Sequence, residues 1–138
     1  MEKIKWKDEY ILGIERVDRQ HQHMFEIINE IIEYSVPSGD IDLTADTIKE
    51  MASYAREHFA DEEELMQRYG YPNLDAHKKE HNYFIDTTAH LAVEFMNNRN
   101  TTGGEIAEFL TIWLTNHILK TDMKYKELLL KKMPAGVK

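Results

Sequence analysis

Apolar residues recur at intervals of three and four along almost the whole chain, and beyond the opening arm no stretch alternates as a strand would. Four amphipathic helices are predicted. The first covers about residues 19 to 35, with Asp18 as its N-cap and Met24, Phe25, Ile28, Ile31 and Ile32 on one stripe. "SVPSGD" ends it through Pro37 and Gly39. The second, about 42 to 69, turns Ile48, Met51, Ala52, Ala55, Phe59, Leu65 and Met66 inward and stops at Gly70 and Pro72. Asn73 caps a third helix running to about Asn98, with Phe84, Leu91, Ala92 and Phe95 facing one way. After the break "NNRNTTGG", a fourth, about 105 to 120, places Ile106, Phe109, Leu110 and Trp113 inward. An arm carrying Trp6, Tyr10, Ile11 and Leu12 packs along the bundle before it, and the amphipathic "KYKELLLKK" closes the chain. Short links make neighbours antiparallel. The expected fold is therefore all-α: an up-down-up-down antiparallel four-helix bundle with an N-terminal arm and a short C-terminal helix.

Length and composition narrow this picture. The 138 residues suit one hydrophobic core, hence a single domain spanning 1 to 138. A formal net charge of -8 leaves no basic surplus for a phosphate backbone, so no nucleic-acid partner is expected. The absence of cysteine removes disulfides, thiolate nucleophiles and Cys-ligated zinc or iron-sulfur clusters. The opening residues lack the apolar run of a signal peptide, and no segment approaches the roughly 20 apolar residues of a membrane span. A soluble, cytoplasmic protein is expected.

The seven histidines change the picture most. Four residues of α-helix advance about 400°, so His58 and Glu62 share a face, and both fall in the inward series Ile48, Met51, Ala55, His58, Glu62, Leu65, Tyr69. His77 and His81 likewise precede Phe84, Thr88, Leu91 and Phe95 on an inner stripe. His21 leads Met24, Phe25 and Ile28, while His117 follows Trp113 by four. His23 and His90 lie on the opposite faces and serve as internal controls. One inward histidine is ordinarily a satisfied core residue. Five of them with a carboxylate would be costly to bury unless a metal cluster stabilised them together. Asp122 stands apart: five residues after His117 on a continuous helix, it would lie about 140° away. It joins the others only if the helix ends or distorts near Lys120 and Thr121.

Such a donor set is too large for one tetrahedral zinc, and ions that favour oxygen would not select imidazoles. Iron, manganese, zinc and nickel all suit mixed imidazole and carboxylate ligands. If two carboxylates and one oxo or hydroxo ligand each bridge a pair of six-coordinate ions, five imidazoles fill every remaining position but one. A dinuclear centre with a single open coordination position follows.

The motifs "DRQHQHMF", "HFADEE", "GYPNLDAHKKEH" and "WLTNHILKTD" resemble those of the hemerythrin family, most closely its single-domain bacterial form, over nearly the whole chain. The resemblance implies a non-haem centre of two iron ions bridged by oxo or hydroxo, which binds dioxygen reversibly for transport, storage or delivery. It implies His77, His81 and His117 on one iron, His21 and His58 on the other, and Glu62 and Asp122 as bridges. Dioxygen would enter at the iron held by His21 and His58. A dry apolar pocket favours reversible binding, and Phe59, Trp113, Leu114 and Ile118, adjacent to the ligands, are candidates to line it. A monomeric carrier rather than an enzyme is expected. The alternatives are an oxygen-sensing module acting through a partner, or a di-iron oxidase or peroxidase; ferritin-like oxidases, however, use Glu with Glu-x-x-His pairs, and this chain has His-x-x-x-Glu and His-x-x-x-His. Lys124, Lys126, Lys131 and Lys132 around Leu128, Leu129 and Leu130 admit docking to a membrane or client protein, although packing on the bundle is the expected role.

Overall fold

A computed structural model describes residues 1–35, 39–97, 101–136 and 138. Pro37 and Asn98, at which a break and a helix end are expected, lie outside the described residues. A short 3₁₀ turn, Asp8–Tyr10, sits in the arm. Helices α1 (Glu15–Ser35), α2 (Ile41–Arg68), α3 (Leu74–Met96) and α4 (Gly103–Asn116) follow. A π-helical turn, His117–Asp122, then leads into α5 (Met123–Lys132). Each of the four long helices packs on the next and α4 closes on α1, making a four-helix bundle.

The helix ends show where local chemistry and expectation part. Asp18 does not cap α1, which begins at Glu15 because the buried Ile14 already supplies the first carbonyl, 2.9 Å from the Asp18 N–H. The Asp18 carboxylate instead reaches back to accept the N–H groups of Leu12 (2.8 Å) and Gly13 (3.0 Å), fixing the arm's entry. Asp40 caps α2 by accepting the Leu43 N–H at 3.0 Å. At the other end Gly70, with φ of 74°, completes a Schellman motif: Tyr71 N–H to Met66 O at 2.9 Å and Gly70 N–H to Gln67 O at 3.2 Å. Asn73 occupies the N-cap position of α3, but its side chain makes no capping bond. The fourth helix is not α-helical to residue 120; from His117 onward the chain winds as a π-turn.

Two apolar clusters fill the interior. One gathers Met24, Phe25, Ile28 and Ile31 of α1 with Ile48, Met51 and Phe59 of α2, Phe84 of α3 and Ile106, Leu110 and Leu114 of α4. The other joins Leu12, Ile14 and Val17 to Leu65, Met66, Tyr71, Tyr125, Leu129 and Met133. Along every helix the inward histidines and acids fall between the two, so a buried polar layer is clamped by apolar packing on both sides. The arm follows α1. Trp6 and Tyr10 set their rings 5.3 and 5.2 Å from Phe25, and Asn29 both donates to and accepts from the Ile4 backbone. Ile11 departs from expectation and is exposed, since the residues on either side of it, Tyr10 and Leu12, take the inward positions. In α5, Leu129 is buried and Leu128 and Leu130 pack beside it. Among the described residues no helix is long and apolar enough to cross a membrane.

Candidate metal centre

Three long helices and the π-turn that continues α4 contribute to the polar layer: His21 from α1, His58 and Glu62 from α2, His77 and His81 from α3, and His117 and Asp122 from the two ends of the π-turn. All seven are buried, with Asp122, His21 and His81 wholly inaccessible. His90 is well exposed and His23 partly so, and neither joins the group. The π-turn accounts for Asp122. Its i→i+5 pattern sets the residue five positions on nearly above the first, whereas an α-turn would rotate it away.

The two carboxylates divide their oxygens between two sets of imidazoles. Glu62 Oε1 lies 3.0 Å from His77 Nε2 and 2.9 Å from His81 Nε2, whereas Oε2 lies 3.4 Å from His58 Nε2 and 3.7 Å from His21 Nε2. Asp122 Oδ1 is 3.0 Å from both His77 Nε2 and His117 Nε2, and Oδ2 is 3.2 Å from His21 Nε2. Two donor groups result: Glu62, His77, His81, His117 and Asp122 in one, His21, His58 and Glu62 in the other.

Of these short distances His77 Nε2 to Glu62 Oε1 is a hydrogen bond, but the polar atoms around it are left largely unpartnered. Both Asp122 oxygens, both ring nitrogens of His21, His58 Nε2 and His77 Nδ1 are buried without a hydrogen-bond partner. His81 and His117 face each other Nε2 to Nε2 at 3.1 Å, a gap that holds at most one proton. Their Nδ1 atoms are committed to Glu63 (2.7 Å) and Glu80 (3.1 Å), and that of His58 to Gln20 Oε1 (2.7 Å). Carboxylates and the amide oxygen accept, so each ring donates through Nδ1 and turns Nε2 inward. Lone pairs converging at such range, in a dry interior, fit shared cations better than one another.

Charge within the layer points the same way. Burial disfavours protonated His21, yet the Asp122 and Glu62 carboxylates outweigh it and raise the imidazole to about 9. The same two acids raise His77 to about 9 against burial. His81 is raised by Glu62 and Glu63, while His58 is lowered because burial prevails there. Burial would raise Glu62 too, but four surrounding imidazoles hold it well below the usual carboxylate range. The layer thus holds strong demand for positive charge, met by protons or by metal.

The hemerythrin HHE cation binding domain matches residues 12–129. The chain belongs to the hemerythrin family. A bacteriohemerythrin of Clostridium acetobutylicum is 33% identical over 124 residues, covering 87% of this chain and 96% of that protein. A myohemerythrin of Theromyzon tessulatum is 29% identical over 125 residues, covering 91% and 92%. A wild-type hemerythrin crystal structure superposes with a TM-score of 0.84 at 26% identity, covering 91% of this chain and 97% of that one. The buried cluster of this hemerythrin-family chain fits a di-iron site, since its imidazole and carboxylate donors suit iron and fall into two groups.

The expected pocket residues fall beside the layer in different ways. Phe59 stacks on His81 with centroids 3.9 Å apart and planes 7° from parallel, and Trp113 stacks on His117 at 4.4 Å and 12°. Leu114 and Ile118 are fully buried in the first apolar cluster. An open groove of about 350 Å³ lies beside His117; of the four, only Trp113 borders it, together with Glu80, Tyr83, Phe109 and Thr121. Sequence reasoning passed over Gln20, Glu63, Glu80 and Tyr125. Tyr125 is wholly buried and donates its hydroxyl to Glu62 Oε2 at 2.9 Å. Its place three residues after Asp122 on a helix face was the available signal. The other three each sit next to an inward histidine or acid in the sequence, which is too common an arrangement to single them out.

Proposed function

We propose that this chain binds dioxygen reversibly at a di-iron centre and serves in oxygen transport, storage or delivery rather than as an enzyme. His77, His81 and His117 would hold one iron and His21 and His58 the other, with Glu62 and Asp122 offering an oxygen to each. One observation carries the reading: both carboxylates present one oxygen to each set of imidazoles. Bound iron would supply the electrons that dioxygen takes up and returns. The chain's own residues would hold the metals in place and limit the water that reaches them. Phe59 and Trp113 cover the faces of His81 and His117, and Leu114 and Ile118 add apolar bulk, which restricts the access of water that promotes loss of reduced oxygen. The nitrogen-rich donor set favours reversible binding over the carboxylate-rich chemistry of oxygen-activating centres. The described residues act as one domain, monomeric and in the cytoplasm.

The test is anaerobic purification, reduction, metal quantification and visible spectra through cycles of oxygen and argon. Two irons per chain with an oxygen-dependent band that reverses under argon is the expected result. Irreversible oxidation or substrate turnover would replace the carrier with an oxidase or peroxidase. Failure to hold any transition metal after reconstitution would overturn the reading.

A further inference from the structure

The imidazoles of the two donor groups are backed by different chemistry. In the three-imidazole group, His81 Nδ1 meets the Glu63 carboxylate at 2.7 Å and His117 Nδ1 meets the Glu80 carboxylate at 3.1 Å, while His77 Nδ1 has no partner. Thr121 Oγ1 donates to the same Glu80 oxygen at 2.9 Å and fixes it. In the two-imidazole group, His58 Nδ1 meets only the neutral Gln20 amide, and His21 Nδ1 has no partner. The direction of the Gln20 amide is set from behind. Its nitrogen donates to Asp61 at 2.8 Å, Asp61 is paired with Arg16 at 2.8 Å, and the amide oxygen is thereby left for His58.

Resting on the metal reading above, we infer that Glu63, Glu80 and Gln20 are positioning residues that grade the two metal positions electronically. A carboxylate accepting an imidazole N–H draws that proton toward itself and makes the opposite nitrogen a stronger donor. A neutral amide does so less. The three-imidazole metal is therefore the electron-rich one, and the two-imidazole metal is the stronger Lewis acid. The groups behind the ligands add to the difference that three imidazoles against two already make. That difference places the more electron-deficient metal where fewer protein donors reach it.

The test begins with the full chain loaded with zinc, which is diamagnetic and requires neither iron nor oxygen. The Nδ1–H protons of His81 and His117 are expected further downfield by NMR than that of His58. Glu63→Gln and Glu80→Gln should each move their own partner's proton upfield, and Gln20→Glu should move that of His58 downfield. In the iron-loaded protein the first two variants should raise the reduction potential and the third should lower it, with about a 10–100-fold loss of metal retention against a chelator for the carboxylate variants. Equal proton shifts for the three rings in the unsubstituted protein would overturn the inference. So would three variants that shift the potential in one direction, or that lower only melting temperature and metal content, since those are effects of packing. Failure of oxygen reversibility with the proton pattern intact would remove the carrier reading and leave this inference standing, whereas a chain that binds no metal removes both.

Discussion

His117 Nε2 lies 3.0 Å from Asp122 Oδ1 although Asp122 is five positions further along the chain, and the π-helical turn that spans them closes that distance. An α-helix spends 100° per residue and would point the acid about 140° from the imidazole. The turn's i→i+5 pattern absorbs the extra residue while α5 continues to pack Tyr125 and Leu129 into the second apolar cluster.

Asp122→Ala should therefore leave the bundle folded but reduce metal content sharply, as read by elemental analysis after gel filtration. Deleting the exposed Leu119 gives a sharper contrast. It would convert the π-turn to an α-turn with the acid four residues after His117, still near the same face. That variant should hold more metal than Asp122→Ala, and equal loss in both would mean that the π-turn itself is required.

Acid and base should each destabilise the metal-free protein, through different groups. His21 and His77 are raised from 6.5 to about 9. Their charged forms stabilise the fold fully below pH 6.5, and that contribution is lost as pH rises through about 9. Glu62 and Asp122 are depressed below 4.5 and 3.8, so their contribution holds above those values and is lost as pH falls. Thermal melts of chelator-stripped protein should show greatest stability in mildly acidic to neutral solution. Metal replaces the protons on His21 and His77, so loading near neutral pH should release on the order of two protons per chain in a pH-stat and weaken as pH falls.

Phe59 packs between the buried histidine layer and the rest of the first apolar cluster, with Phe84 5.6 Å and Trp113 5.9 Å away edge-on. Phe59→Ala should cost about 3–5 kcal/mol in urea unfolding, from lost burial and the cavity left behind. Because the ring also covers His81, oxidation of the reduced centre in air should quicken in the same variant.

Tyr125→Phe removes one hydroxyl and keeps the shape. The buried Glu62 oxygen loses its donor, so stability of the metal-free protein should fall by about 0.5–3 kcal/mol. With metal bound the loss should shrink, because the cation then satisfies that oxygen. An equal loss in both states, measured by denaturant titration, would argue against Glu62 as a ligand.

Apolar periodicity made the helices and their order legible, because a helix that must bury one stripe writes that stripe at intervals of three and four residues. The same rule turned His21, His58, Glu62, His77, His81 and His117 inward on the sequence alone, and motif resemblance named the family. Ends were less legible: Asp18 reads as a cap, yet α1 starts at Glu15 because burying Ile14 decides where the chain turns in.

What only the tertiary structure decided was set by contacts between residues far apart in the chain. The π-turn exists because one extra residue must be absorbed if both His117 and α5 are to pack inward, and no local preference of "HILKTD" announces it. The division of Glu62 and Asp122 between two imidazole sets, and the choice of Glu63, Glu80 and Gln20 to back them, depend on how four helices meet. Sequence spacing fixes which face a side chain takes on its own helix. Which atoms come within 3 Å of one another is settled by the packing of the helices together.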